Sequence, residues 1–102
     1  MTHGHAIVLL EAARRLEELA ARTTPGDWRL KVLLASRPEV VAHKADGSTE
    51  HVAEARERTA AWILALSPAV AGPLAAVLRK AAAEPPDDAT LDLARLLIER
   101  LP

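Results

Sequence analysis

The sequence predicts an α+β fold, predominantly helical, in the order α-β-β-α-α-α with one short antiparallel β-hairpin packed on the helices. Three observations carry this. Apolar residues make up 50% of the chain and are mainly Ala, Leu and Val, which leans the composition towards helix. Most of the chain repeats those residues at three- and four-residue spacing. One stretch instead begins with strict alternation: Trp28, Leu30 and Val32 point one way, Arg29 and Lys31 the other.

The elements follow in order. A first helix is expected over 5–22, with Leu9, Ala12, Ala13, Leu16, Leu19 and Ala20 as its apolar face. Glu11 with Arg15, and Glu18 with Arg22, stand four apart in the favourable order. Thr23-Thr24-Pro25-Gly26-Asp27 breaks this helix, since Pro-Gly is strong turn punctuation. A hairpin is expected over 28–43, turning at Ser36-Arg37-Pro38 and returning through Glu39–His43. Asp46-Gly47 ends it as a favoured turn pair. A second helix is expected over 50–66, with Ser48 or Thr49 as N-cap. Ser67-Pro68 opens a third over 68–83, bearing Val70, Leu74, Val77 and Leu78 and disturbed in its first turn by Pro73. Glu84-Pro85-Pro86-Asp87-Asp88 forms a stiff connector. A last helix over 89–101 places Leu93, Leu96, Leu97 and Leu101 on one face.

At 102 residues the chain reads as a single small domain with a modest core. There is no Phe or Tyr, and Trp28 and Trp62 are the only large aromatics. They are expected to be structural anchors, packed close together and pinning the hairpin to the second helix. Ala and Leu make thin contacts, and a lone hairpin is marginal in water, so a second copy of the chain is an expected partner.

Composition narrows the function classes. The net charge of −1 offers no basic excess for a phosphate backbone. With no cysteine, disulfides, thiolate catalysis and thiolate zinc sites are excluded, and a reducing cytoplasm fits. The apolar run Ala6–Leu10 ends at Glu11, short of a membrane span, and no basic region precedes it, so no membrane association and no leader are expected. Arginine outnumbers lysine ten to three and alanine is abundant, which suggests a GC-rich genome such as an actinobacterium or its phage.

A search for chemistry finds no catalytic set. Ser36, Ser48 and Ser67 sit in turn or cap contexts that explain them. The four glycines are scattered, so no phosphate loop exists. Asp87 and Asp88 read as a helix start. His3 and His5 lie at a terminus, and His51 with Glu54, three apart on the expected second helix, lacks the second pair of a di-metal site. No cofactor and no metal are expected. The basic residues Arg29, Lys31, Arg37 and Lys44 cluster on or around the hairpin and form the candidate interaction surface. A basic β-ribbon can enter a nucleic-acid groove, although Glu39 and Asp46 dilute the patch.

Three short motifs occur in a fixed order: Thr24-Pro25-Gly26-Asp27-Trp28, Ala60-Ala61-Trp62-Ile63-Leu64-Ala65, and Ser67-Pro68-Ala69-Val70. Over about 24–78 the chain resembles the short Ead-like accessory proteins of actinobacterial phages and prophages. Asp27 stands where that class usually has a second proline, and Gly72-Pro73 interrupts its usual Leu-rich helix. The resemblance implies a phage or prophage accessory protein and supplies no reaction and no catalytic residue. The expectation is therefore a non-enzymatic, cytoplasmic protein acting by protein–protein interaction, as a homo-oligomer or on a host factor. The alternative is a small nucleic-acid-binding regulator using the basic hairpin.

Overall fold

A computed structural model describes residues 2–32, 37–85 and 87–102, with the backbone alone for Thr2, His3 and Glu57. The fold is α+β and predominantly helical, as expected, with a small antiparallel sheet. The elements are α1 (Thr2–Arg22), β1 (Asp27–Lys31), β2 (Glu39–His43), β3 (Thr49–Glu54), α2 (Glu57–Ala65), a 3-10 turn (Pro68–Val70), α3 (Ala71–Ala82) and α4 (Asp88–Arg100). The chain divides into two compact units: Met1–Arg22 with Ala71–Pro102, and Thr23–Val70. The expected turn residue Ser36, and Leu33 and Leu34 before it, lie outside the described residues.

The first unit is a helical assembly in which α1 packs on both α3 and α4. Its core is Leu9, Ala12 and Ala13 from α1, Ala75 and Leu78 from α3, and Ala94 from α4. Alanines at the crossing points let the helix backbones approach closely, so the larger Leu9 and Leu78 fill the space between. On α3 the buried residues are Ala71, Ala75 and Leu78, at i, i+4 and i+7. Val77, one of the apolar residues of the expected third helix, is 57% exposed. Pro73 sits in the first turn, where the missing N–H costs least. On α4 the inward residues are Leu91 and Ala94, with Leu97 and Ile98 packed beside them. The expected Leu93–Leu96 face is thus rotated outwards. Leucines flank both sides of this helix, and the small Ala94 decides which side approaches α1. Asp87 caps α4 by accepting hydrogen bonds from the Thr90 N–H at 3.0 Å and the Thr90 hydroxyl at 2.6 Å.

Charge pairs lace the outside of this unit. Glu11 accepts from Arg14 at 2.6 Å and from Arg15 at 2.8 Å, and Arg14 also reaches Glu18 at 2.7 Å, so Glu18 pairs backwards along α1. Arg15 donates to the Ile98 carbonyl at 3.2 Å, tying α1 to α4. Arg79 grips Glu17 with both arms of its guanidinium, tying α1 to α3. The Arg14 and Arg15 hydrogen bonds pull the Glu11 carboxyl from its ordinary 4.5 down to about 2, and Arg79 lowers Glu17. A carboxyl lowered in the folded state stabilises above its unfolded pKa, and that contribution is lost as pH falls through the folded value. Thermal stability should therefore decline as pH drops from 4.5 towards 2. Both groups are exposed, so 1 M salt should shrink the decline. Glu11→Gln with Glu17→Gln should flatten it, as followed by helical circular dichroism.

In the second unit the expected hairpin forms the first two strands of a three-stranded sheet, order β1-β2-β3. The expected helix over 50–66 is corrected here: residues 49–54 pair with β2, and α2 begins only at Glu57. The reason is local. Asp46 Oδ1 accepts from the Ser48 N–H at 2.9 Å, Lys44 N–H donates to the Ser48 carbonyl at 2.9 Å, and Gly47 takes φ +87°. Asp-Gly therefore folds as a second hairpin turn, leaving Ser48 and Thr49 unavailable as helix caps. Arg56 becomes the N-cap, without a side-chain cap bond. The central strand holds the buried core, Val40, Val41 and Ala42. Helix α2 packs on β1 and β2, with Ala60 fully enclosed.

Candidate interaction surfaces

The turn before the sheet is built around Trp28. Its indole N–H donates to the Thr24 carbonyl at 3.0 Å, closing the Thr-Pro-Gly-Asp-Trp segment on itself. Gly26 holds φ +110°, and a Cβ there would lie 2.7 Å from the His43 carbonyl oxygen. Trp28 is half-buried in this turn. The expected pairing of the two tryptophans is corrected by Trp62, which is 68% exposed. The physical reason is the rotation of α2. The small Ala60 allows the closest approach, Ile63 and Leu64 share its side half-buried, and Trp62, two residues on, points about 200° away.

The outward face of α2 consequently carries Ala61, Trp62 and Ala65, followed at the C-cap by Leu66, which is 56% exposed. This apolar face went unrecognised in the sequence, where Trp62 was assigned to the core. A signal was present: from Thr59 to Leu78 no side chain is charged. The stretch Arg58–Ala82 contains an 18-residue window apolar enough to cross a membrane by length and composition, with 17% of that window buried. It is not one helix, because α2 ends at Ala65 and the 3-10 turn intervenes before α3.

The four basic residues singled out in the sequence do not form one uniform patch. Arg29 is bonded to Asp27 at 2.8 Å, and Lys44 to Glu50 at 2.7 Å, which raises the lysine pKa. Lys31 lies directly across from Glu39 in the sheet register. Arg37 is exposed two residues before the start of β2. The polar face of the sheet thus alternates in sign: Asp27, Arg29 and Lys31 stand beside Glu39, His43, His51 and Glu54. His51 Nδ1 lies 2.8 Å from Glu39 Oε2, on a strand rather than on the helix expected for a His51–Glu54 pair. His5 Nδ1 is enclosed without a hydrogen-bond partner, and the side chain of His3 is outside the described residues. Among the described residues no group of three or more His, Asp or Glu side chains is placed to hold a metal ion.

Compared with known protein families, with curated proteins and with solved structures, the chain matches none.

Proposed function

We propose that this protein is a non-enzymatic interaction module that self-associates through the second unit. The phage or prophage accessory role suggested by its three motifs is part of the same proposal. One observation carries the reading. Among the described residues the second unit encloses Val40, Val41, Ala42 and Ala60, while Leu30, Val32, Trp62 and Leu66 remain exposed. Solvent-exposed apolar groups of this size gain about 25 cal/mol per Å² when covered, and an exposed tryptophan on a helix face whose one cation is Arg58 can centre a binding hot spot. A second copy suits this surface because a net charge of −1 leaves little repulsion between copies. The alternating charges around Arg29, Lys31 and Lys44 weigh against the nucleic-acid alternative, since each cation has an acidic neighbour.

Replacing Trp62 with Glu tests the reading. A hot-spot loss of about 2 kcal/mol weakens association about 30-fold. Size-exclusion chromatography with light scattering should find the native chain above its 10.9 kDa monomer mass at high concentration, and Trp62→Glu close to it. Identical elution of the two at all concentrations would remove the role assigned to Trp62.

A lipid surface is the second reading for the outward face of α2, favoured by the apolar run from Thr59 to Leu78 and by Arg58 at its start. Flotation with phosphatidylglycerol vesicles separates the two. Self-association predicts protein left in the vesicle-free fraction, and flotation that is lost in Trp62→Glu supports lipid.

A further inference from the structure

The two edges of the sheet differ. The edge strand β3 is interrupted by a bulge opposite Val40 and Val41 and carries Glu50, His51 and Glu54, features that discourage pairing with another strand. The edge strand β1 keeps an unbroken register, from Asp27 opposite His43 to Lys31 opposite Glu39, and four of its five residues are exposed. Arg29 and Lys31 would ordinarily protect such an edge. Their spacing from Asp27 reverses that role in one antiparallel arrangement. With β1 paired to its own copy about Arg29, Asp27 of each chain stands opposite Lys31 of the other, and Trp28 stands opposite Leu30 of the other. Arg29 meets itself, with each guanidinium already held by Asp27 at 2.8 Å. Moving the centre by one residue to Leu30 sets Arg29 against Lys31 and abolishes the complementarity.

We propose that two copies join β1 to β1 in this register, making one continuous six-stranded antiparallel sheet. The proposal rests on the self-association reading and specifies its geometry. The position of α2 supports it independently. This helix packs on β1 and β2, the side of the sheet nearest the seam. An antiparallel self-pair has its two-fold axis perpendicular to the sheet, so both α2 helices lie on the same face. With strands about 4.8 Å apart and α2 centred over the β1–β2 pair, the two helix axes stand about 10 Å apart, the upper end of the ordinary helix-packing range. The seam therefore brings the flanks of the two α2 helices within packing distance, while Trp62, about 200° from the sheet-facing Ala60, stays turned away from the sheet.

The absence of cysteine makes the register directly readable. Single substitutions Asp27→Cys, Arg29→Cys, Lys31→Cys and, on a distant helix, Arg95→Cys are oxidised separately. Directly opposed residues on neighbouring strands have Cβ atoms about 4.5–5.5 Å apart, close to disulfide reach. Arg29→Cys should cross-link to a covalent dimer at several times the yield of any other single variant. A mixture of Asp27→Cys with Lys31→Cys should cross-link, while neither does so alone. Asp27→Lys should weaken association about tenfold, and adding Lys31→Asp should restore it. Cross-linking at position 29 no stronger than at position 95, in a chain that sedimentation shows to self-associate, would overturn the seam and leave self-association standing. A chain that sediments as a monomer throughout would overturn both.

Discussion

Gly26→Ala should unfold the sheet of the second unit. The residue holds φ +110°, and its added methyl would lie 2.7 Å from the His43 carbonyl oxygen, 3.0 Å from the His43 carbonyl carbon and 3.3 Å from the Lys44 nitrogen. Two costs combine. An L-residue in this backbone region costs about 1–2 kcal/mol, and forcing backbone apart to admit a methyl costs about 1–3 kcal/mol more. The opposing reserve is small, because among the described residues of the unit the buried ones are Val40, Val41, Ala42 and Ala60. Amide exchange is the direct measurement. Protection of the β1–β2 ladder, Asp27–Lys31 with Glu39–His43, should fall by two to three orders of magnitude, converting about 3–4 kcal/mol at 1.4 kcal/mol per tenfold. Gly47→Ala is the contrast. It also has positive φ, at +87°, but nothing lies within 4 Å of the added atom, so only the backbone cost applies. Equal loss in the two variants would contradict the close-approach argument.

Leu78→Ala should be the most damaging single truncation in the helical unit. Leu78 is fully enclosed and, with Val40, is one of the largest side chains in that state. Its core neighbours are Leu9, Ala12, Ala13, Ala75 and Ala94. Alanines have no rotamers with which to fill a void, so relaxation is limited and the cavity term is nearly complete. The expected cost is about 3–5 kcal/mol, against about 5–10 kcal/mol of total stability for a domain of this size. Urea denaturation followed by the helical signal should show the midpoint falling by half or more. Leu78→Met, which keeps the volume, should cost less than about 1.5 kcal/mol. A loss under about 1 kcal/mol for Leu78→Ala would show that this core is not closely packed.

Much of this fold was legible in residues that act locally. Leu9, Ala12 and Ala13 announced the inner face of α1, Asp87 and Asp88 the start of α4, and Trp28-Arg29-Leu30-Lys31 the alternation of β1. The third strand was the main omission, and its signal was also local. Asp46-Gly47 can end a strand or join two, and Ser48-Thr49-Glu50 can cap a helix or enter a strand. The choice was made by pairing back across the turn with Val41, Ala42 and His43, which the cap reading of Ser48-Thr49-Glu50 leaves out of account. The side chains that face outwards were harder to read for a related reason. In a chain so rich in Ala and Leu, both sides of α2 and α4 are apolar, and the inward side is selected by where Ala60 or Ala94 permits close approach. Trp62 is therefore expected in the core by hydrophobicity and excluded from it by shape, and Leu93 and Leu96, on the expected apolar face of the last helix, stand exposed. The charged candidates Arg29, Lys31 and Lys44 were visible as a cluster, but their acidic neighbours Asp27, Glu39 and Glu50 are brought beside them only by the strand register or by a side-chain contact.

The central claim is that the second unit completes itself on another copy. Sedimentation equilibrium of the unaltered chain over a hundredfold range of concentration tests it most directly. The average mass should rise with concentration from 10.9 kDa towards twice that value and fit a monomer–dimer equilibrium. A mass fixed at 10.9 kDa across the whole range would contradict it.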